Sequence, residues 1–104
     1  MAPERWVEWK ENAKTLLNVA QRIELQRMRL RTMAEQDLSR ASDADIKALS
    51  LRADICSDNI AEINKEMAKE QKWTHKMMFV LKELEKETDE LEVAVQKASL
   101  ERKS

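Results

Sequence analysis

The sequence contains no glycine and no tyrosine, and it has one proline, one cysteine and one phenylalanine. Tight turns with a positive φ normally use glycine, so few such turns are expected. The shortage of aromatic residues is a poor basis for a β-sandwich, whose strands favour them. A single cysteine, Cys56, excludes an internal disulfide framework and fits a reducing compartment.

Long apolar runs and an excess of one charge are also absent. The longest fully apolar run covers residues 77–81, far short of the ~20 residues of a membrane span. The first ten residues have no apolar core of the kind a signal peptide requires. The 19 basic and 20 acidic residues give a formal net charge of -1, so no global field attracts nucleic acid or an anionic membrane. The sequence therefore predicts a soluble, intracellular protein without membrane insertion.

What is abundant is charge together with regularly spaced apolar residues. Charged residues make up 38% of the chain and hydrophobic residues 42%, a composition typical of long helices and coiled coils. From residue 46 to residue 98 a seam repeats in alternating steps of three and four. Its positions are Ile46, Leu49, Ala53, Cys56, Ile60, Ile63, Met67, Glu70, Thr74, Met77, Leu81, Leu84, Thr88, Leu91, Val95 and Ala98. Such a repeat keeps one side of a helix against a partner helix.

A second seam predicts helix 1 over about residues 3–39, with Pro3 suited to the first helical turn. Its positions are Trp6, Trp9, Ala13, Leu16, Ala20, Ile23, Arg27, Leu30 and Ala34. Small and large side chains alternate along it, which favours close antiparallel pairing. Further residues widen the apolar face, as expected for a helix that contacts more than one neighbour. They are Leu17, Val19, Met33 and Leu38.

The connection after helix 1 is predicted at about residues 40–44, and helix 2 is predicted to begin near residue 43. Ser42, followed three residues later by Asp45, resembles an N-cap with an acidic partner. Two amphipathic helices joined by a short connection form an antiparallel hairpin. The sequence therefore predicts a single helical domain over residues 1–104.

The preferred architecture is all-α, a long antiparallel helical hairpin or coiled coil that assembles into a helical bundle. Helix 2 then runs unbroken over about residues 43–103, because neither glycine, proline, asparagine nor aspartate occurs between Lys65 and Thr88. Such a helix is ~90 Å long, whereas helix 1 covers only ~55 Å of it. The seam beyond about Lys82 would lack a partner within its own chain. Soluble monomers seldom expose such a strip, so this architecture predicts a homo-oligomer or another helical protein as partner.

The alternative is a compact up-down-up three-helix bundle, with a break near residues 71–74. Trp73, Thr74 and Met78 have the spacing of a hydrophobic staple around an N-cap. An arginine-rich stretch, 22–31, and an acidic stretch, 83–92, would then come level on parallel helices. Opposite charges that flank a seam help to set pairing and register.

Two groups of candidate contact residues follow. The candidate interface is the apolar run and the seam beyond it: Trp73, Met77, Met78, Phe79, Val80, Leu81, Leu84, Leu91 and Val95. The candidate charge contacts that set register are Arg22, Arg27, Arg29, Arg31, Glu70, Glu83, Glu87 and Glu90. Arg27 interrupts the seam of helix 1, and Glu70 is its expected acidic partner.

The sequence favours a non-enzymatic module for protein–protein interaction or assembly, either a coiled-coil oligomer or a subunit of a helical complex. The alternative is a small monomeric bundle that acts as an adaptor, chaperone or inhibitor of a larger protein, with Leu25 and Met28 as exposed contacts. Nucleic-acid binding through Arg22 to Arg31 is the third hypothesis. We expect no cofactor, metal or small-molecule substrate, because the sequence has no phosphate loop, plausible triad or clustered metal ligands.

Overall fold

The computed structural model describes residues 3–36, 43–70 and 72–103, and the side chains of residues 8–35, 44–70 and 72–101. The elements in chain order are α1 (Pro3–Gln36), α2 (Asp43–Glu70) and α3 (His75–Lys103). All three helices pack against one another, in a bundle that measures 58 × 21 × 17 Å. The predicted all-α class is confirmed, and the architecture is the three-helix bundle.

The predicted unbroken helix over residues 43–103 is wrong, because α2 ends at Glu70 and α3 begins at His75. Thr74 caps the new helix as the alternative expected. Its Oγ1 accepts a hydrogen bond of 3.2 Å from the backbone N–H of Met77, and its carbonyl accepts one of 3.0 Å from Met78. An N-cap side chain of this kind satisfies a donor that the first helical turn leaves free.

The apolar repeat does not reveal the break between α2 and α3, and the reason is geometric. The connection 71–74 takes up four residues, which is close to the 3.6 residues of one helical turn. A reversal of this length removes about one turn, so the 3-4 alternation continues across it without a slip. A regular seam therefore does not by itself prove that the helix is continuous.

The connection between α1 and α2 falls mostly outside the described residues. Helix 1 was predicted to reach about residue 39, and α1 is described to Gln36. Leu38, the predicted cap at Ser42 and most of the predicted turn lie in the part of the chain that is not described. Helix α2 begins at Asp43, where helix 2 was expected to start.

One apolar core runs between the three helices. Its buried members are Leu16, Val19, Ile23, Leu30, Ile46, Ala53, Cys56, Ile60, Ile63, Met77, Leu81, Leu84, Leu91 and Val95. Those from α2 and α3 all belong to the predicted seam. Leu49 and Met67, two further seam residues, are partly buried against this core. The seam of residues 46–98 is thus confirmed as the core-facing side of two helices rather than one.

The seam predicted for α1 needs a correction. Val19 and Gln26 are buried, whereas Ala20 and Arg27, the predicted seam positions beside them, are only partly buried. Helix α1 contacts both α2 and α3, so it buries a wider face than a two-helix seam would use. The side chain of Trp6, the first predicted seam residue, lies outside the described part.

The distal seam that was expected to remain uncovered is covered within the same chain. Leu84, Leu91 and Val95 are between 1% and 3% exposed. A second chain is therefore not needed to shield them from water. The oligomeric state itself stays a prediction.

Candidate interaction surface

The candidate interface residues separate into core and surface. Met77, Leu81, Leu84, Leu91 and Val95 are buried in the core. Trp73 and Val80 are partly buried against that core, and Met78 is also partly buried. Phe79, by contrast, is 65% exposed. The structure thus brings most of these residues together inside the bundle, with Phe79 as the member most open to solvent.

The predicted match between the basic stretch of α1 and the acidic stretch of α3 is present at Arg22. Its Nε donates a 3.0 Å hydrogen bond to Glu92 Oε2. Its Nη2 contacts Asp89 Oδ1 at 2.5 Å and also Glu92 Oε1. The hydrogen bond to Glu92, followed by that to Asp89, raises the pKa of the Arg22 guanidinium.

Arg27 joins α1 to α2, although not through the acid expected from the sequence. Its Nε lies 3.2 Å from Asp54 Oδ1, and its Nη1 lies 3.1 Å from Glu24 Oε2 on its own helix. The predicted partner, Glu70, is sixteen residues beyond Asp54 on α2, or ~24 Å along the axis. The Arg27–Glu70 pair is therefore wrong, because antiparallel packing places Glu70 beside the opposite end of α1.

The third interhelical contact joins α2 to α3 through an arginine that the sequence reasoning missed. Arg52 Nη2 lies 3.3 Å and 3.5 Å from the two carboxylate oxygens of Glu87, and 3.7 Å from Glu90 Oε2. The available signal was its position directly before the seam residue Ala53, where a charge flanks the helix contact. Glu87 and Glu90 were predicted as charge contacts, but with α1 rather than α2.

Among the residues with described side chains, each pair of helices is joined through an arginine, and these three bridges lie near the middle of the bundle. The side chains involved are partly exposed, and such pairs contribute at most ~1 kcal/mol each. Their geometry supports a role in pairing and register more than in overall stability. The remaining predicted charge contacts are exposed: Arg29, Arg31, Glu70 and Glu83.

Polar side chains are also buried in the core. Gln26 is 1% exposed, and its Oε1 has no hydrogen-bond partner among the described residues. Thr88 is also buried, and its Oγ1 donates a 2.6 Å hydrogen bond to the carbonyl of Leu84. Burial raises the pKa of the Cys56 thiol. The negative charge of Glu87 raises this pKa further, and the positive charge of Arg52 lowers it. A buried Cys56 agrees with the sequence prediction, whereas Gln26 was not anticipated.

The outward side of α1 carries apolar residues among polar ones. We define the outer face of α1 as the exposed residues Leu17, Gln21, Glu24, Leu25, Met28, Arg31 and Thr32. Leu25 is 44% exposed, Met28 56% and Leu17 60%. At 100° per residue these three fall within an arc of ~80°, opposite the buried Ile23 and Leu30. The expectation that Leu25 and Met28 lie off the core is confirmed. The expectation that Leu17 widens the packed face is wrong, because Leu17 is 60% exposed.

The other helices also expose apolar side chains, in smaller groups. Leu51 and Ile55 are exposed on α2, and Phe79, Val93 and Leu100 are exposed on α3. Phe79 and Val93 are fourteen residues apart, so ~21 Å of helix separates them. Single exposed apolar residues are common on soluble proteins. Leu51 and Ile55 form a pair, a helical turn apart on α2. The outer face of α1 has the larger group, because it exposes three apolar residues within one arc.

Comparison with protein-family models, with curated proteins and with solved structures finds no match for this chain. Across residues 3–36, 43–70 and 72–103, no helix has both the length and the apolar character needed to cross a membrane. Among the same residues, no three or more histidine, cysteine, aspartate or glutamate side chains are grouped so that they could hold a metal ion.

Proposed function

We propose that the protein is a non-enzymatic protein-interaction module that acts as a folded three-helix bundle and contacts its partner through the outer face of α1. The observation that carries this proposal is the exposure of Leu17, Leu25 and Met28 on the side of α1 opposite the core. Apolar side chains gain free energy when a partner removes them from water. The bundle supplies a rigid support, because the opposite side of the same helix is packed.

A folded bundle fits the burial pattern better than a coiled coil assembled through the distal seam. For Leu84, Leu91 and Val95 to contact another chain, α1 and α2 would first have to leave α3. That opening would expose side chains that are now between 1% and 3% exposed, at a cost of roughly 1.5–3 kcal/mol for each large apolar side chain. The intact bundle is therefore the form that we propose to be active.

The charges favour a protein partner over nucleic acid. Two of the four arginines in the basic stretch, Arg22 and Arg27, already contact carboxylates of neighbouring helices. Phosphate binding depends on basic side chains that can release counterions from the nucleic acid. Arginines already held by acids contribute little to such a surface, and only two arginines of this stretch, Arg29 and Arg31, are exposed.

The test uses a double variant, Leu25→Lys with Met28→Lys, and a matched control, Val93→Lys on α3. All three positions are exposed, so circular dichroism and the thermal midpoint should match the wild type. Proteins retained by the immobilised wild-type chain are compared quantitatively with those retained by each variant. Any partner found in this way is purified and its dissociation constant is remeasured for all three proteins.

We expect the purified partner to bind the α1 double variant at least ~10-fold more weakly, with the control unchanged. Partners that bind both variants as tightly as the wild type would contradict the assignment of this face. Hydrogen exchange on the complex tests the second part of the proposal. Amides near Leu84 and Leu91 should stay protected, and their exchange on binding would instead indicate that the bundle opens.

A further inference from the structure

Within the outer face of α1, the stretch that follows Leu17 has an order of side chains that complements itself when read in reverse. From the N-terminal side it presents a neutral polar residue, an acid, two apolar residues, a base and another neutral polar residue. These residues are Gln21, Glu24, Leu25, Met28, Arg31 and Thr32. All six are exposed, so none is withheld from a neighbour by the core.

In an antiparallel pair of α1 helices, the exposed apolar residues of one copy lie level with those of the other. We place a two-fold axis level with the midpoint between residues 26 and 27. Leu25 then lies level with Met28 of the other copy, and Met28 with its Leu25, since each is 1.5 residues from the axis. Gln21 and Thr32 pair in the same way at 5.5 residues. An isologous contact of this kind repeats every interaction twice.

The same arrangement also pairs opposite charges. Glu24 and Arg31 are seven residues apart, so they project from almost the same side of α1. A two-fold axis perpendicular to the paired helices brings this side against itself. Arg31 of one copy then comes within two residues, or ~3 Å along the axis, of Glu24 of the other. A parallel arrangement in register would instead bring Glu24 beside Glu24 and Arg31 beside Arg31.

Glu24 retains room for a second cation. One of its oxygens, Oε2, accepts the contact from Arg27 at 3.1 Å, and its side chain is 59% exposed. A carboxylate has two oxygens and accepts several hydrogen bonds. The Arg27 contact also holds Glu24 on the side of α1 where Arg31 of a second copy would arrive.

From this self-complementarity we propose that the partner of the outer face of α1 is a second copy of this chain, bound antiparallel about a two-fold axis. The proposal rests on the proposed function, because it uses the same face and the same folded bundle. Two apolar residues from each copy form the centre, and two Glu24–Arg31 pairs flank it. A contact this small belongs with weak, transient associations rather than with obligate dimers.

The experiment measures the mass of the chain in solution by sedimentation equilibrium or light scattering, from low concentration to ~1 mM. At ~1 mM, a binding free energy of only about 4 kcal/mol still gives half occupancy. The wild-type chain is compared with three charge variants of the full chain: Glu24→Arg, Arg31→Glu, and the double exchange of both. Val93→Glu on α3 serves as the matched control. Circular dichroism confirms that each variant is folded.

We expect a concentration-dependent dimer that each single charge reversal weakens by about 10-fold, because it places like charges opposite each other twice. The double exchange should restore the dissociation constant to within about 3-fold of the wild type, and Val93→Glu should leave it unchanged. Higher salt should weaken the wild-type dimer, since the charge pairs are exposed.

Two results would overturn the proposal. A wild-type chain that remains a 12.2 kDa monomer up to ~1 mM would exclude a second copy as the partner. It would leave the proposed function to its own test with foreign proteins. A dimer that tolerates both single reversals equally, or that the double exchange fails to restore, would place the interface elsewhere on the bundle.

Discussion

Arg22 on α1 donates hydrogen bonds through both Nε and Nη2 to the carboxylate of Glu92 on α3, seventy residues away in the chain. This bidentate geometry fixes both the distance and the relative register of the two parallel helices. We expect Arg22→Glu and Glu92→Arg each to lower the free energy of unfolding by about 1 kcal/mol, since both side chains remain partly exposed. The double exchange should recover most of that loss in urea unfolding. Losses that simply add in the double exchange would contradict a direct pairing.

Gln26 is a polar residue inside the core, and its replacement should stabilise the bundle. Burying a polar atom without a partner costs about 1–3 kcal/mol, and Gln26 Oε1 has none among the described residues. We expect Gln26→Leu to raise the free energy of unfolding by roughly 1–2 kcal/mol. The matched control is Gln21→Leu on the exposed side of α1, which should stay within about 0.5 kcal/mol of the wild type. A destabilised Gln26→Leu would indicate that the amide is satisfied in solution.

Leu91 and Val93 lie two residues apart on α3, one in the core and one in solvent. Leu91 is 1% exposed and Val93 is 67% exposed. Truncating Leu91 to alanine leaves a cavity, so we expect a loss of about 2–5 kcal/mol in denaturant unfolding. Val93→Ala should have almost no effect. Equal losses in the free energy of unfolding for the two variants would contradict this orientation of α3 in the bundle.

Thr74 ends the reversal between α2 and α3 by capping α3. Replacing Thr74 with alanine removes the acceptor for the Met77 N–H, and we expect a loss of about 1 kcal/mol in the free energy of unfolding. Thr74→Ser keeps a hydroxyl and should restore most of it. Thr32→Ala is the control, because Thr32 Oγ1 binds a carbonyl within its own helix and caps nothing. Equal losses at Thr74 and Thr32 would argue against a cap.

Cys56 should report on opening of the bundle. The thiol is buried, and burial raises its pKa in the folded state, so a thiol reagent at neutral pH should react only when the core opens. In the unfolded chain the thiol ionises at its ordinary pKa, which lies below that of the folded state. The unfolded state therefore releases its proton first, and stability should fall as the pH rises above that value. Cys56→Ala should lack this alkaline component, and rapid labelling of the native protein would contradict the burial.

Much of the fold could be predicted from residue spacing, and the rest depended on three-dimensional detail. Most seam residues from Ile46 to Val95 lie on the core side, because apolar periodicity reflects burial directly. The polar seam residue Glu70 is exposed. The three-helix bundle, with its reversal before His75, was only the alternative architecture, because a reversal of this length preserves the 3-4 spacing of the seam. For α1, contact with more than one neighbour was expected, but the burial of Gln26 was not. The spacing of the apolar residues would have placed Gln26 on the core side, because a 3-4 alternation includes position 26 together with Leu16, Val19, Ile23, Leu30 and Met33.

The candidate surface was harder to predict than the fold. Opposite charges on residues 22–31 and 83–92 anticipated Arg22 with Glu92, since they flank facing seams. The partner of Arg27 depended on which residues antiparallel packing brings level, and this selects Asp54. Phe79 was grouped with the buried residues around it, because a short apolar run does not reveal which member points outward. Leu25 and Met28 were correctly expected to be exposed, because they fall outside the seam.

The four-residue connection 71–74 has a consequence for how the bundle forms. It brings α2 against α3 early, because pairs such as Arg52 and Glu87 are thirty-five residues apart, whereas the α1–α3 pair Arg22–Glu92 spans seventy. Each doubling of the loop costs ~0.6 kcal/mol more in closure entropy. Bundles rich in local helix contacts fold in microseconds to milliseconds. The α2–α3 hairpin is thus expected to assemble ahead of the α1–α3 contact, which would make that contact the final step of folding.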